Sequence, residues 1–280
     1  QIYHSQTGLF AYDRSAGRET LLLDSPAGEP WGPAYSPDGS SIAYTRIDTA
    51  GPWDIHVMPA GGGTPRRLTS GSESALWPRW SPDGSQIAYC TFGKGDDDLF
   101  VVPAEGGAAR QLTRGGGDDW WPSWSPDGTE IVFSRTDAGS TRLYRVRLAG
   151  GPPELLRDQS ATLPHHSRDG ALLAVAGDRG FWHGVGVMPS AGGPIRWLTD
   201  TGGWPVFRPD GRAVGFVRLD PGGRQSLWEV AVEGGEAYPI DGPEFSSWNY
   251  PFAYHPRGDG LVYSRSTGME GDLWMIELPP

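Results

Sequence analysis

The tetrapeptide Ser-Pro-Asp-Gly occurs three times, starting at Ser36, Ser81 and Ser125. Looser copies follow as Ser-Arg-Asp-Gly from Ser167, Arg-Pro-Asp-Gly from Arg208 and His-Pro-Arg-Gly from His255. Successive copies lie 45, 44, 42, 41 and 47 residues apart. A near-constant period of this length marks a repeat architecture, in which one small unit buries its apolar faces against its neighbours. Each unit must then repeat the same local structure.

The motif has the chemistry of a tight turn. Proline pre-sets φ, aspartate accepts backbone N–H bonds, and glycine tolerates positive φ. A Trp-Pro-x-aromatic segment leads into the turn, as in "WPRW" (77–80) and "WPSW" (121–124). An apolar run such as "QIAYC" (86–90) or "EIVFS" (130–134) leaves it. An alternating segment such as "DLFVVP" (98–103), a Gly-Gly turn and a short "xxLT" segment complete the unit. Four short runs bounded by Gly, Pro and Asp predict a four-stranded antiparallel sheet.

Four-stranded units repeated radially make a β-propeller. The residue before each turn is Tyr35, Trp80, Trp124, His166, Phe207 or Tyr254, and five of these six are aromatic, as expected for rings wedged between blades. The fold class is therefore all-β. The whole chain, 1–280, reads as one propeller domain with units at about 31–76, 77–120, 121–162, 163–203, 204–250 and 251–280. The N-terminal strands within residues 1–30 close the last unit. Six blades are preferred over seven, because a seventh built from the N-terminus would lack its innermost strand. In the six-bladed reading Thr20–Leu23 completes the last blade, which supplies three strands of its own through "DLWMIEL" (272–278), and Ile2–Asp13 is an extra hairpin.

These motifs resemble the TolB-like propellers, whose repeat reads W-P-x-W-S-P-D-G, an apolar strand, "LxVVPAxGG" and "xxLT". The segments Trp77–Thr113 and Trp121–Leu156 match most closely, and the likeness weakens in the fourth and sixth units. It implies the propeller fold and a binding role, since the family includes a periplasmic protein that docks a lipoprotein. It also includes propellers attached to prolyl-oligopeptidase-type hydrolases, and some relatives resemble polysaccharide lyases with a His-rich metal centre.

Composition narrows the partners. Glycine (42) and proline (26) suit many turns, and thirteen tryptophans need burial or a partner. The net charge of −11 argues against nucleic acid, which needs a basic stripe. No apolar run reaches the length of a membrane span. Cys90 is the only cysteine, so it reads as a small buried hydrophobe. The chain begins at Gln1, which fits a processed end; with the resemblance, this sets the expectation of a periplasmic or extracellular location.

Chemistry must be sought where the repeats differ. No G-x-S-x-G nucleophile elbow, H-E-x-x-H zinc motif or P-loop occurs. His165 and His166 fall on an innermost strand near the channel and His255 on another, so the three could converge on a transition metal. The alternative makes His166 a wedge and leaves His165 facing the channel. His4, His56 and His183 fall on outer strands. Asp96–Asp98 sit in a loop, and Asp118 and Asp119 at a channel mouth. Asp119 occupies a position corresponding to Glu29, Ser74 and Ser247, so oxygen ligands from several blades could hold calcium. A solvated acidic loop needs no metal, and no cofactor is the preferred expectation.

Trp120, Trp182, Trp248 and Tyr250 lie outside the repeated core positions. With Asp118 and Asp119 they form the candidate partner-binding set, either as interface anchors or as caps on the blade ends. The favoured expectation is a non-catalytic protein-binding or scaffolding subunit, with a membrane-associated assembly as its setting and with a carbohydrate lyase or a small-ligand or cation binder as alternatives.

Overall fold

A computed structural model describes residues 7–25, 28–48, 51–93, 96–177, 184–219, 225–240 and 252–265. They form six four-stranded antiparallel sheets and no helix. β1 (Gly8–Asp13) and β2 (Arg18–Asp24) make an N-terminal hairpin. Blade one is β3–β6 (Glu29–Tyr35, Ser41–Ile47, Asp54–Pro59, Arg66–Arg67) and blade two is β7–β10 (Ser74–Trp80, Gln86–Phe92, Leu99–Pro103, Arg110–Gln111). Blade three is β11–β14 (Asp118–Trp124, Glu130–Asp137, Ser140–Arg147, Glu154–Arg157). Blade four is β15–β18 (Thr162–His166, Leu172–Ala176, Val185–Pro189, Arg196–Trp197), and blade five is β19–β22 (Gly203–Phe207, Ala213–Leu219, Gln225–Ala231, Tyr238–Pro239). β23 (Ala253–Tyr254) and β24 (Gly260–Arg265) begin blade six.

The propeller has six blades, and the last is shared by both ends of the chain. Its strand order is β2-β1-β24-β23, so the N-terminal hairpin supplies the two outer strands. This corrects the expectation that Thr20–Leu23 alone completes the blade with Ile2–Asp13 as an extra hairpin. Gly8–Asp13 pairs along its length with Gly260–Arg265, in the third position. The segment 272–278, whose pattern suits that position, lies outside the described residues. Both N-terminal strands join because they travel as one unit. Asp13 accepts hydrogen bonds from the backbone N–H groups of Ser15 and Ala16, both at 2.9 Å, which fixes the turn between them.

The repeated turn folds as its chemistry dictates. The Ser81 hydroxyl donates to Asp83 (2.6 Å), Asp83 accepts from the Ser85 N–H (3.0 Å), and the Gln86 N–H donates to the Ser81 oxygen (2.9 Å). Gly84 supplies the required φ of 74°. Equivalent bonds recur at Ser36–Asp38, Ser125–Asp127 and Ser167–Asp169. The "LT" threonines have a matching role just after the outer strand, where Thr69 and Thr113 each accept an N–H near the start of the third strand, from Ile55 and Leu99 (2.9 Å in both).

The wedge residues set how blades abut. The Trp80 indole donates to the Ala34 carbonyl of the preceding blade (3.1 Å), and Trp124 donates to that of Arg79 (3.0 Å). His166 departs from the aromatic series yet keeps the connection. Its Nδ1 meets the hydroxyl of Ser123, the residue in the place of Ala34 and Arg79, at 3.0 Å.

Candidate functional site

A bend in the innermost strands shapes the centre of the molecule. Gly32, Trp77, Trp121, Leu163 and Trp204 each precede a proline and adopt φ between 56° and 58°. Each marks a shift of register in its strand pairing. Four of the five are bulky residues in the left-handed region, a strained arrangement. The bulge throws each side chain off the sheet face, and the rings meet one another: Trp77 lies 5.4 Å from Trp204, and Trp121 lies 6.0 Å from it. Trp77, Leu163 and Trp204 are buried within the largest core cluster. A plug of indoles therefore lies between the two mouths, which differ in character.

The mouth where the innermost strands begin is aromatic and acidic. Trp31, Trp53, Phe92 and Trp120 form a chain of rings with neighbouring centroids 5.9–6.0 Å apart. Phe92 is 46% exposed despite stacking on Trp53. Beside it the two adjacent aspartates have different environments. Asp119 is fully buried and takes both nitrogens of the Arg135 fork, at 2.6 and 2.8 Å. Its carboxylate is thus engaged inside the blade, and it serves structure. Asp118 is half-buried and accepts the Asp97 N–H at 3.3 Å. Burial, with Asp118 nearby, pushes the Asp97 carboxyl up to about 6.

Among the described residues, the oxygen groups aligned at this mouth each engage a separate partner. Glu29 accepts the Trp31 indole N–H (3.2 Å) and Ser74 accepts the Trp53 N–H (3.0 Å), while Asp119 faces Arg135. Trp182, Trp248, Tyr250, His4, His183 and Ser247 lie outside the described residues.

The opposite mouth is ringed by the six motif turns and opens as a cup of about 470 Å³. His165 and His166 both line it. His166 is held by Ser123, and His165 Nδ1 accepts the Phe207 N–H at 3.3 Å. Burial lowers His166 to about 4, and burial together with Arg79 lowers His165 to about 3, so both are neutral at pH 7. His255 is not on an innermost strand, as the spacing suggests, but in the turn after β23. There it faces Asp259 (3.0 Å) and stacks edge-on against Tyr35 (5.0 Å). Among the described residues no three His, Cys, Asp or Glu side chains form a group that could hold a metal ion.

Two participants were not singled out in the sequence. Phe92 ends an otherwise ordinary apolar strand, and only its position next to the "GKGDDD" loop hints at exposure. Arg79 occupies the variable position between Trp-Pro and the wedge, where Ala34, Ser123, His165 and Val206 stand in other blades. That variability was the available signal.

Fold and site together define a class: a six-bladed β-propeller with indole rings packed together near its centre and two unlike faces. Residues 32–248 match the TolB beta propeller domain, and the chain belongs to that family. Among solved structures it is similar to a putative TolB from Agrobacterium tumefaciens, with 19% identity and a TM-score of 0.81 over 94% of this chain and 99% of that one. TolB from Acinetobacter baumannii is 18% identical with a TM-score of 0.69, covering 95% of this chain and 65% of that one. An oligogalacturonate lyase in complex with manganese is 16% identical with a TM-score of 0.61, over 91% of this chain and 78% of that one. At these identities the likeness shows the fold alone. No curated protein matches the sequence.

Proposed function

We propose that this propeller is a non-catalytic recognition subunit of the bacterial envelope, periplasmic or extracellular, that docks a protein through its aromatic, acidic mouth. The observation that carries this reading is Phe92, nearly half exposed within the ring chain Trp31–Trp53–Phe92–Trp120, on a mouth that also carries Asp97 and Asp118. Aromatic anchors rimmed by charge are the usual make-up of an interface hot spot, and the acidic rim on a chain of net charge −11 favours a basic partner patch. Family membership supports a binding role and an envelope location.

The lyase reading draws less support, because His165 and His166 are each hydrogen-bonded to protein groups and His255 is turned to Asp259. The test is cross-linking on native envelopes, followed by purification of the wild type and of Phe92→Ser. The expected result is one stoichiometric partner cross-linked near Phe92, lost in the variant while the circular dichroism spectrum is unchanged. A wild-type protein recovered monomeric and unaccompanied overturns the reading.

A further inference from the structure

The turn-side cup is chemically at odds with the rest of the molecule. On a chain of net charge −11, its lining includes Arg79, Arg168 and Arg208 and no carboxylate among the described residues. Arg208 is already neutralised, by Asp210 at 2.6 Å and Glu229 at 3.1 Å. Arg168 is exposed at the rim. Arg79 differs from both. It stands on an innermost strand above the indole plug and lines both the cup and the small void beneath it, of about 20 Å³. Among the described residues its side chain makes one hydrogen bond, from Nη1 to the carbonyl of Pro78 (2.9 Å), and no carboxylate pairs with it. Partial burial lowers its pKa to about 10, and it remains a cation at neutral pH. A guanidinium has five N–H donors in a planar fork, and most of this fork is unused.

His165 lines the same cup and void. Because its Nδ1 accepts the Phe207 N–H, the neutral ring carries its proton on Nε2 and offers a second donor. Around these polar groups the wall is aromatic, with Trp80, Trp124, Phe207 and Tyr254. A half-buried guanidinium fork with no carboxylate partner among the described residues, set in an aromatic recess, matches an anion that is planar, singly charged and attached to an apolar body.

We infer that the turn-side cup is a binding site for an organic carboxylate with an apolar body, gripped by Arg79 and seated against the wedge aromatics. The carboxylate belongs either to a free small acid or to the C-terminus of a peptide chain. The site stands whether or not the opposite mouth docks a protein.

The experiment is calorimetric titration of the full chain with N-acetylphenylalanine, its methyl ester, a short peptide ending in Phe with a free carboxylate, and the same peptide amidated. At least one free acid is expected to bind while its ester or amide does not. Arg79→Gln is expected to lose about tenfold or more in affinity with an unchanged circular dichroism spectrum. Tighter binding by the peptide identifies a chain terminus as the source, and equal or tighter binding by the small acid identifies a free acid. Should Arg79→Gln fail to fold, Arg79→Lys takes its place, and about a fivefold loss is expected because an ammonium lacks the fork. The inference is overturned if no free acid binds at millimolar concentration, if ester or amide binds equally well, or if the Arg79 variant binds as the wild type does.

Discussion

Aspartates of one chemical type are driven in opposite directions by their settings. Hydroxyls of Ser36 and Ser81, helped by turn amides, pull Asp38 and Asp83 down to about 2. Burial beside Asp118 pushes Asp97 up to about 6. The folded state therefore prefers Asp97 protonated. Its contribution to stability is fully present below the unfolded value of about 3.9 and is lost as pH rises through about 6. Asp97→Asn should raise Tm at pH 7.5 by roughly 2 °C and leave it nearly unchanged at pH 4, as read by differential scanning calorimetry at both pH values. An unchanged Tm at pH 7.5 would contradict this assignment. The sequence could place Asp118 and Asp119 at a mouth but could not tell them apart. Successive strand residues face opposite sides, and the partner that takes Asp119 inward, Arg135, comes from the neighbouring strand.

Within the element, the Trp-Pro pair carries two roles, of which only one was legible. The wedge is visible as an aromatic recurring just before five of the six turns. The plug is not, because a residue before proline ordinarily favours extended backbone, and nothing local announces a left-handed Trp77 or Trp204. Only assembly of the ring makes such a conformation worthwhile, by burying the indoles against one another. This predicts an inversion of the usual order of substitutions. Trp204→Ala should cost about 3–5 kcal/mol in urea unfolding, as truncation of a buried tryptophan does. Trp204→Gly should cost about 1 kcal/mol less than Trp204→Ala, since glycine adopts φ near 58° without strain. Blade one already has glycine at this place, in Gly32. A glycine variant less stable than the alanine variant would argue against strain at the bulge.

For the molecule as a whole, the decisive event is ring closure, and one buried carboxylate secures it. Glu229 of blade five accepts from Arg14 (2.8 Å) in the N-terminal hairpin turn, from Tyr254 (2.7 Å) in blade six, and from Tyr238 (2.8 Å) and Arg208 (3.1 Å) in its own neighbourhood. Burial alone would raise its pKa, but the bonds from Tyr254, Tyr238 and Arg14 outweigh burial and hold it below the usual glutamate value. Stability from this group is therefore present above about 4.3 and lost as pH falls through the lower folded value. Glu229→Ala leaves two arginines without their shared partner and should cost about 3 kcal/mol at pH 7. The deficit should narrow in unfolding experiments at acid pH, and an equal deficit at every pH would contradict the latch. The periodicity made six blades and antiparallel sheets legible. The strand exchange in blade six was not, because the C-terminal unit still carries a third-strand pattern and the competition for that place is decided by pairing across the whole chain. Closure also sets a timetable for biosynthesis. Asp13 and its partner Gly260 lie 247 residues apart. At roughly 5–20 residues per second, the hairpin emerges from the ribosome on the order of 12–50 s before the strand it must meet. Through that interval Leu9 and Phe10, both buried in the finished ring, stand on an open strand edge. Between the synthesis of these two strands the growing chain is thus open to pairing with other chains, and the arrival of Gly260–Arg265 ends the exposure.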